Sequence, residues 1–283
     1  MPTRAMTHIN IISPLLSRVE VLPTQFTGAP VGQSLPEKLV SIYERHLAAL
    51  RSKLDVGSIS DSPVVALRDW AYTGTQLRLA VEASSYVPVT AMQLTYVEAL
   101  RTGVLSQADI ASIPNKFGAS FCACVAVLTS DNQVIVLRQP GRLSSPGPVA
   151  LGLGEVFEPA DFESTDLVLH RAGARVLRDA LAVSLTPEQT ARYVRPMYLA
   201  RGEGCGSWLV LMVADLRQAG MAFTAERILQ QAQAAPDAGG TTGRHAVPFT
   251  QAGLEAYLRE NKSSLGLWAE QLAALLLLNF DNA

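Results

Sequence analysis

The chain is poor in cysteine, in charge and in aromatic residues, and each shortage excludes something. Three cysteines in 283 residues rule out a disulfide framework. Two of them, Cys122 and Cys124, alternate onto one face of an apolar run, and Cys205 stands alone between glycines. No further Cys or His completes the usual four-ligand metal spacing, so they read as buried structural thiols. Charged residues make up 17%, and 23 Lys plus Arg against 25 Asp plus Glu leave a net charge of −2. No bulk field therefore draws the protein to nucleic acid or to an anionic membrane, and any phosphate recognition has to be local. The run from Leu272 to Leu278 is too short to span a bilayer. The N-terminal run from Ile9 to Leu16 is broken by Asn10, Ser13 and Pro14 and lacks the pattern of a signal peptide. The expectation is a cytoplasmic protein without a membrane partner.

What the chain does have is apolar bulk. Hydrophobic residues at 48% over this length support one large domain or two ordinary ones. Residues 1–34 hold two short apolar runs and then a Thr, Gly, Pro and Ser-rich segment. The spacing of Leu39, Ile42, Tyr43, His46, Leu47 and Leu50 predicts a helix over 35–54, opened by a capping box of Ser34 and Glu37. β-type runs at 64–69 and 76–81, around Tyr72-Thr73-Gly74-Thr75, predict a hairpin. After a Ser84-Ser85-Tyr86 turn a helix follows over 90–105, and Pro114 to Gly118 marks a boundary. The expected domains are thus a small N-terminal α+β domain, 1–117, and a second domain, 118–283.

In the second domain, runs at 120–128 and 133–137 predict a hairpin around Ser130-Asp131-Asn132, with a third strand at 149–153. A helix is expected over 166–184, strands near 195–199 and 208–213, and a helix over 224–234. A flexible loop, 236–247, and two helices, 251–260 and 265–278, complete the order. Strands alternating with helices make the class α/β or α+β.

The chemistry concentrates between Pro146 and Leu185. A Gly-rich turn with Gly152, Gly154, Glu155 and Glu158 precedes a helix carrying Arg171, Arg175, Arg178 and Asp179. His170, Ala174, Leu177 and Leu181 recur at helical spacing as the buried stripe, with His170 a structural residue. Arg175 reaches Asp179 one turn on. Taken alone, this charge set is a solvated helix face; beside the Gly-rich loop, an anion site is an equal reading, and the residues leave both open. Trp70, Trp208 and Trp268 do not cluster in sequence and read as packing residues.

The order of hairpin (FCACVAVLTSDNQVIVLRQPGR), Gly-rich strand end (VALGLGE) and arginine-bearing helix (RAGARVLRDALAVSL) resembles the Nudix superfamily of nucleoside diphosphate hydrolases. Its box is G-x5-E-x7-R-E-U-x-E-E-x-G-U, with U aliphatic. The segments SLPEKLVSIYERHL, LRLAVEASSYVPVT, VLRQPGRLSSPGPVALGLG and LGLWAEQLAALLLLNF are similar, in the same order, to the two-domain UDP-glucose and UDP-galactose diphosphatase type. The resemblance implies a Nudix-type α/β/α sandwich behind the small N-terminal domain, and a homodimer.

The departures from the box are as informative as the match. With Arg175 as the box arginine, Val176, Asp179 and Ala180 stand where the family has glutamates that bind Mg²⁺, and Ala182 stands where it has glycine. Leu167 replaces the upstream glutamate. Valine and alanine cannot coordinate a hard cation, so the expected cofactor is none, or weakly bound Mg²⁺ held by Asp179. Asp179, Glu155, Glu158 and Glu203 are the candidate catalytic acids; Arg138, Arg142, Arg175 and Tyr86 are the candidate ligand contacts. The resulting expectation is a Nudix-fold protein that binds a nucleotide, nucleotide sugar or other phosphorylated metabolite without standard Mg-dependent hydrolysis. Two alternatives stay open: a divergent hydrolase using substitute acids, and a structural partner in a complex that docks through its apolar C-terminal helix.

Overall fold

A computed structural model describes residues 9–13, 15–16, 20–25, 30–33, 35–106, 109, 119–138, 149–163, 167–202, 207–234, 243–265 and 269–280. Contacts divide the chain into two units. Unit 1 takes residues 1–122, 156–168 and 198–210, and unit 2 takes 123–155, 169–197 and 211–283.

Unit 1 is organised by a hairpin of β3 (Pro63–Tyr72) and β4 (Gln76–Ser85), antiparallel from Pro63↔Ser85 to Tyr72↔Leu77, with a bulge between Leu67 and Asp69. The strand β2 (Glu20–Gln25) adds to β4 in parallel, and the first residues of β5 (Ala119–Leu128) pair with β3 at Ala66↔Ser120. Strand β1 (Ile9–Ile11) pairs with the end of β9 (Val194–Gly202).

Two helices, α1 (Glu37–Asp55) and α2 (Tyr86–Arg101), pack on each other and supply most of one core: Leu39, Ile42, Tyr43, Leu50, Val87, Met92 and Tyr96 close against Val64 and Ala66. The N-cap of α1 is Pro36, without a side-chain cap, and the expected partner Ser34 lies outside the described residues. The expected Ser84-Ser85-Tyr86 turn is not a turn: both serines end β4, and Tyr86 opens α2 four residues earlier than apolar spacing suggested. Asp61 explains the early start. Its carboxylate accepts from the Val87 N–H at 2.7 Å, satisfying one of the helix's first donors from outside, and from the Ser85 hydroxyl at 2.9 Å. Gly103, at φ +73°, follows the helix in the left-handed conformation.

In unit 2, β6 (Gln133–Arg138) joins β5 through Leu128↔Val134. The far side of β6 pairs with β11 (Gly243–Pro248), antiparallel from Gly243↔Arg138 to Pro248↔Gln133. The expected flexible loop at 236–247 is therefore corrected: its second half is strand, formed because β6 offers a free edge. The single strand expected at 149–153 is two short ones, β7 (Val149–Ala150) and β8 (Leu153–Val156). The helix expected over 166–184 is α3 (Val168–Leu181). Its buried face is Leu169, Ala172, Gly173, Val176, Leu177 and Leu181, so His170 and Ala174 flank the stripe instead of forming it. Burial still lowers the His170 pKa.

Gly173 has a packing reason: a Cβ there would sit 2.6 Å from Val194 Cγ1 and 3.1 Å from Met212 Sδ. An unexpected helix, α4 (Pro187–Tyr193), is opened by Thr186, whose hydroxyl accepts from the Gln189 N–H while Gln189 reaches back. The strand β10 (Trp208–Asp215) is buried throughout. Helices α5 (Ala225–Ala234), α6 (Gln251–Glu260) and α7 (Ala269–Phe280) follow, and Asp131 caps α5 by accepting from the Ala225 N–H at 2.9 Å. The class is mixed α/β, and no described helix is long and apolar enough to cross a membrane.

Candidate functional site

The last two turns of α3 bring together two of the sequence-derived site residues. The Asp179 carboxylate accepts from Arg178 Nε at 2.9 Å through Oδ1, and its Oδ2 lies 3.8 Å from Arg175 Nη1. The Arg175 side chain is only 11% exposed, whereas Asp179 is 36% exposed and Arg178 is open to solvent. Val176 points into the core with no exposed surface. The helix ends at Leu181 through Ala182, which takes a left-handed φ of +56° and donates its N–H to the Arg178 carbonyl at 2.9 Å. Left-handed backbone at this position is what a glycine would adopt without cost.

This donor set does not fit Mg²⁺. The ion needs several oxygen ligands and a net negative cluster. Here one carboxylate is already engaged by a guanidinium and faces a second, and its neighbours at 176 and 180 have no oxygen to give. Among the described residues no group of three or more His, Cys, Asp or Glu is arranged to hold a metal.

The remaining candidates are dispersed. Glu155 lies in β8, in unit 2. Glu158, in unit 1, is engaged locally, opening the 3-10 turn Pro159–Phe162 while its N–H donates to Asp161 Oδ2 at 2.9 Å. Tyr86, also in unit 1, is exposed at the start of α2. Arg142 and Glu203 lie outside the described residues, as do Cys205 and Trp268. Arg138 ends β6 in unit 2, and its Nη2 donates to Asn261 Oδ1 at 3.4 Å. Register puts His245 on the same face of the β6–β11 ladder as Arg138, and the His245 ring lies 5.2 Å from that of Tyr257. Burial first, and then the Arg138 charge, lower the His245 pKa; burial pushes the Tyr257 phenol up to about 12, against the pull of Arg138.

A second constellation, in unit 1, was missed by the sequence reading. The hairpin of β9 and β10 is closed by the Gly202 N–H donating to the Ser207 carbonyl at 2.9 Å, which sets Arg201 opposite Trp208. Arg201 is 7% exposed and Trp208 is 2% exposed. Arg201 Nε and Trp208 Nε1 are both buried without a hydrogen-bond partner among the described residues. Next to them the Trp70 ring packs on Trp208 at 6.1 Å, and the Ser207 hydroxyl accepts from Gln93 Nε2 at 2.8 Å. The available sequence signal was Arg201 following the apolar run MYLA in the strand VRPMYLARG, where it is easily taken for a strand-end surface residue.

No family model matches the chain, and no curated protein matches it. A solved structure, Tm1382, provisionally described as a Nudix hydrolase, matches 77% of this chain and 100% of its own, with 8% identity and a TM-score of 0.40. A likeness at that level carries no assignment, and the functional reading has to stand on this chain's own residues.

Proposed function

We propose that this chain is a Nudix-type protein whose metal site is degenerate, and that it binds a phosphorylated metabolite, such as a nucleotide or nucleotide sugar, without standard Mg-dependent diphosphate hydrolysis. The observation that carries the reading is the state of Asp179. It is the one acid at the three box positions, and its carboxylate is held by Arg178 and faces Arg175. A cation arriving there meets two guanidinium charges before it meets a second ligand. The same charges favour an anion, because guanidinium groups present paired donors that match phosphate oxygens. Arg138 adds a further cation in the same unit, and Arg142 is a further ligand contact in this proposal.

Thermal-shift titrations with UMP and UDP-glucose, each with Mg²⁺ and with chelator, test it. A ligand that binds only the folded state stabilises by RT ln(1 + [L]/Kd), about 2.7 kcal/mol at a hundredfold excess over Kd. The expected result is a nucleotide shift indifferent to Mg²⁺. Mg²⁺-dependent release of UMP that disappears in Asp179→Asn would overturn the reading in favour of a divergent hydrolase.

A further inference from the structure

We propose that Arg201 is the cationic centre of a binding site for a small oxyanion, a phosphate or carboxylate group, with the indole N–H of Trp208 beside it on the same face of the β9–β10 hairpin. A guanidinium carries five N–H donors and keeps its charge at any physiological pH. Removing it from water without a counter-charge is among the costliest arrangements a fold can hold.

Arg68 Nε and Arg244 Nε are likewise buried without a hydrogen-bond partner among the described residues, so what sets Arg201 apart from Arg68 is the missing counter-charge. Arg68, also buried in unit 1, donates from Nη1 to Glu82 Oε2 at 2.9 Å. Arg217 grips Asp215 with two donors, at 2.9 and 3.1 Å. Arg201 has no such carboxylate among the described residues, and Trp208, opposite it in the hairpin, carries another orphaned donor. Two N–H donors on opposed residues, one of them charged, with no acceptor among the described residues, are complementary to an anionic acceptor from outside.

The neighbourhood narrows the chemistry. The Ser207 hydroxyl is held by Gln93, and the Trp70 ring lies against Trp208, so these described neighbours are aromatic and neutral. The forked donors of arginine select planar or tetrahedral oxyanions that accept two bonds at once. No metal is needed, since the protein supplies the positive charge. All these residues belong to unit 1 and none to α3, so this inference and the degenerate-site reading fail or survive separately.

The test uses the full chain and two probes, sodium phosphate and sodium acetate, at constant ionic strength with sodium chloride as the reference. Calorimetric titration and the thermal midpoint are both read. Saturable binding of phosphate, of acetate or of both is expected, and the stronger of the two names the class of group. Arg201→Met should weaken that binding by about tenfold or more while leaving the anion-free midpoint equal or higher, because an apolar chain of similar length removes an unpaired buried charge. A lower anion-free midpoint in Arg201→Met would mark Arg201 as a purely structural residue and overturn the proposal. So would anion affinity that survives the substitution, or the absence of saturable binding in the unmodified protein. Trp208→Phe keeps the ring and deletes the donor; it should weaken the same anion severalfold with little change in stability, and unchanged affinity would remove Trp208 from the site.

Discussion

Asp215→Asn keeps the shape of the side chain and deletes its charge, and the structure sets what that should cost. The Asp215 side chain is 9% exposed; its Oδ1 accepts from Arg217 Nε at 2.9 Å and its Oδ2 from Arg217 Nη2 at 3.1 Å, with Arg195 Nη2 3.8 Å away. Arg217 also donates from Nη1 to the Phe280 carbonyl at 3.0 Å and lies 5.8 Å from the rings of both Phe249 and Phe280. Removing one partner of a well-buried pair costs about 3–5 kcal/mol. Arg217 keeps 15% of its side-chain surface in water and Arg195 is half exposed, so solvent relieves part of the loss. The expected destabilisation is about 2–4 kcal/mol, which urea unfolding at pH 7 would resolve.

The pH dependence supplies the stricter check. Burial alone would raise the Asp215 pKa, but the Arg217 hydrogen bonds and the charges of Arg217 and Arg195 outweigh it and hold the carboxyl below its ordinary value. A depressed folded pKa means that the stabilisation is present above the unfolded value, about 3.9, and is lost as pH falls through the folded one. The gap between wild type and Asp215→Asn should therefore be constant near neutrality and close in acid. Because Arg217 also holds the last carbonyl of α7, backbone amides of that helix should exchange faster in the variant. A gap unchanged by acid, or below about 0.5 kcal/mol at pH 7, would refute the assignment of Asp215 as the counter-ion of this cluster.

Two backbone predictions follow from α3. Ala182→Gly should stabilise by about 0.5–1 kcal/mol, because left-handed alanine costs about 1–2 kcal/mol and glycine returns part of that as unfolded-state entropy; a lowered denaturation midpoint would contradict it. Gly173→Ala should destabilise by about 1–2 kcal/mol, since the added methyl meets Val194 Cγ1 at 2.6 Å and overpacking outweighs the better helix propensity. Equilibrium denaturation decides this too, and a stabilised variant would mean that Val194 and Met212 give way freely.

How much of this was legible in advance depends on whether the signal was local. The helix α6 stands at its expected bounds, and the hairpin of β3 and β4 turns at its expected Gly74, because apolar period and turn residues both lie within a short window. The start of α2 was set by Asp61, a residue 26 positions before the amide it caps, and β11 by an edge of β6 more than 100 residues earlier. No window of sequence contains those partners. The helix α4 was legible and missed: Thr186, Pro187 and Gln189 are a complete N-terminal signature. At the site, the Arg175 and Asp179 pairing followed from helical spacing, whereas the burial of Arg201 required the register of a hairpin whose strands meet across Ser207 and Gly202.

The distribution of acids among the described residues is what the proposal of anion recognition rests on. Several carboxylates that look available in the sequence are spent on structure. Glu82 holds Arg68 and the Val31 N–H, Asp61 and Asp131 cap helices, Asp161 closes a turn, Asp215 holds Arg217, and Asp179 holds Arg178. Redirecting any of them to a cation would uncap a helix or strand a guanidinium. The donors tell the opposite story, since Arg201 and Trp208 are buried with N–H groups that nothing described accepts from. Arg68 and Arg217 each have a carboxylate, whereas Arg201 has none among the described residues, and its Nε is complementary to an acceptor from outside.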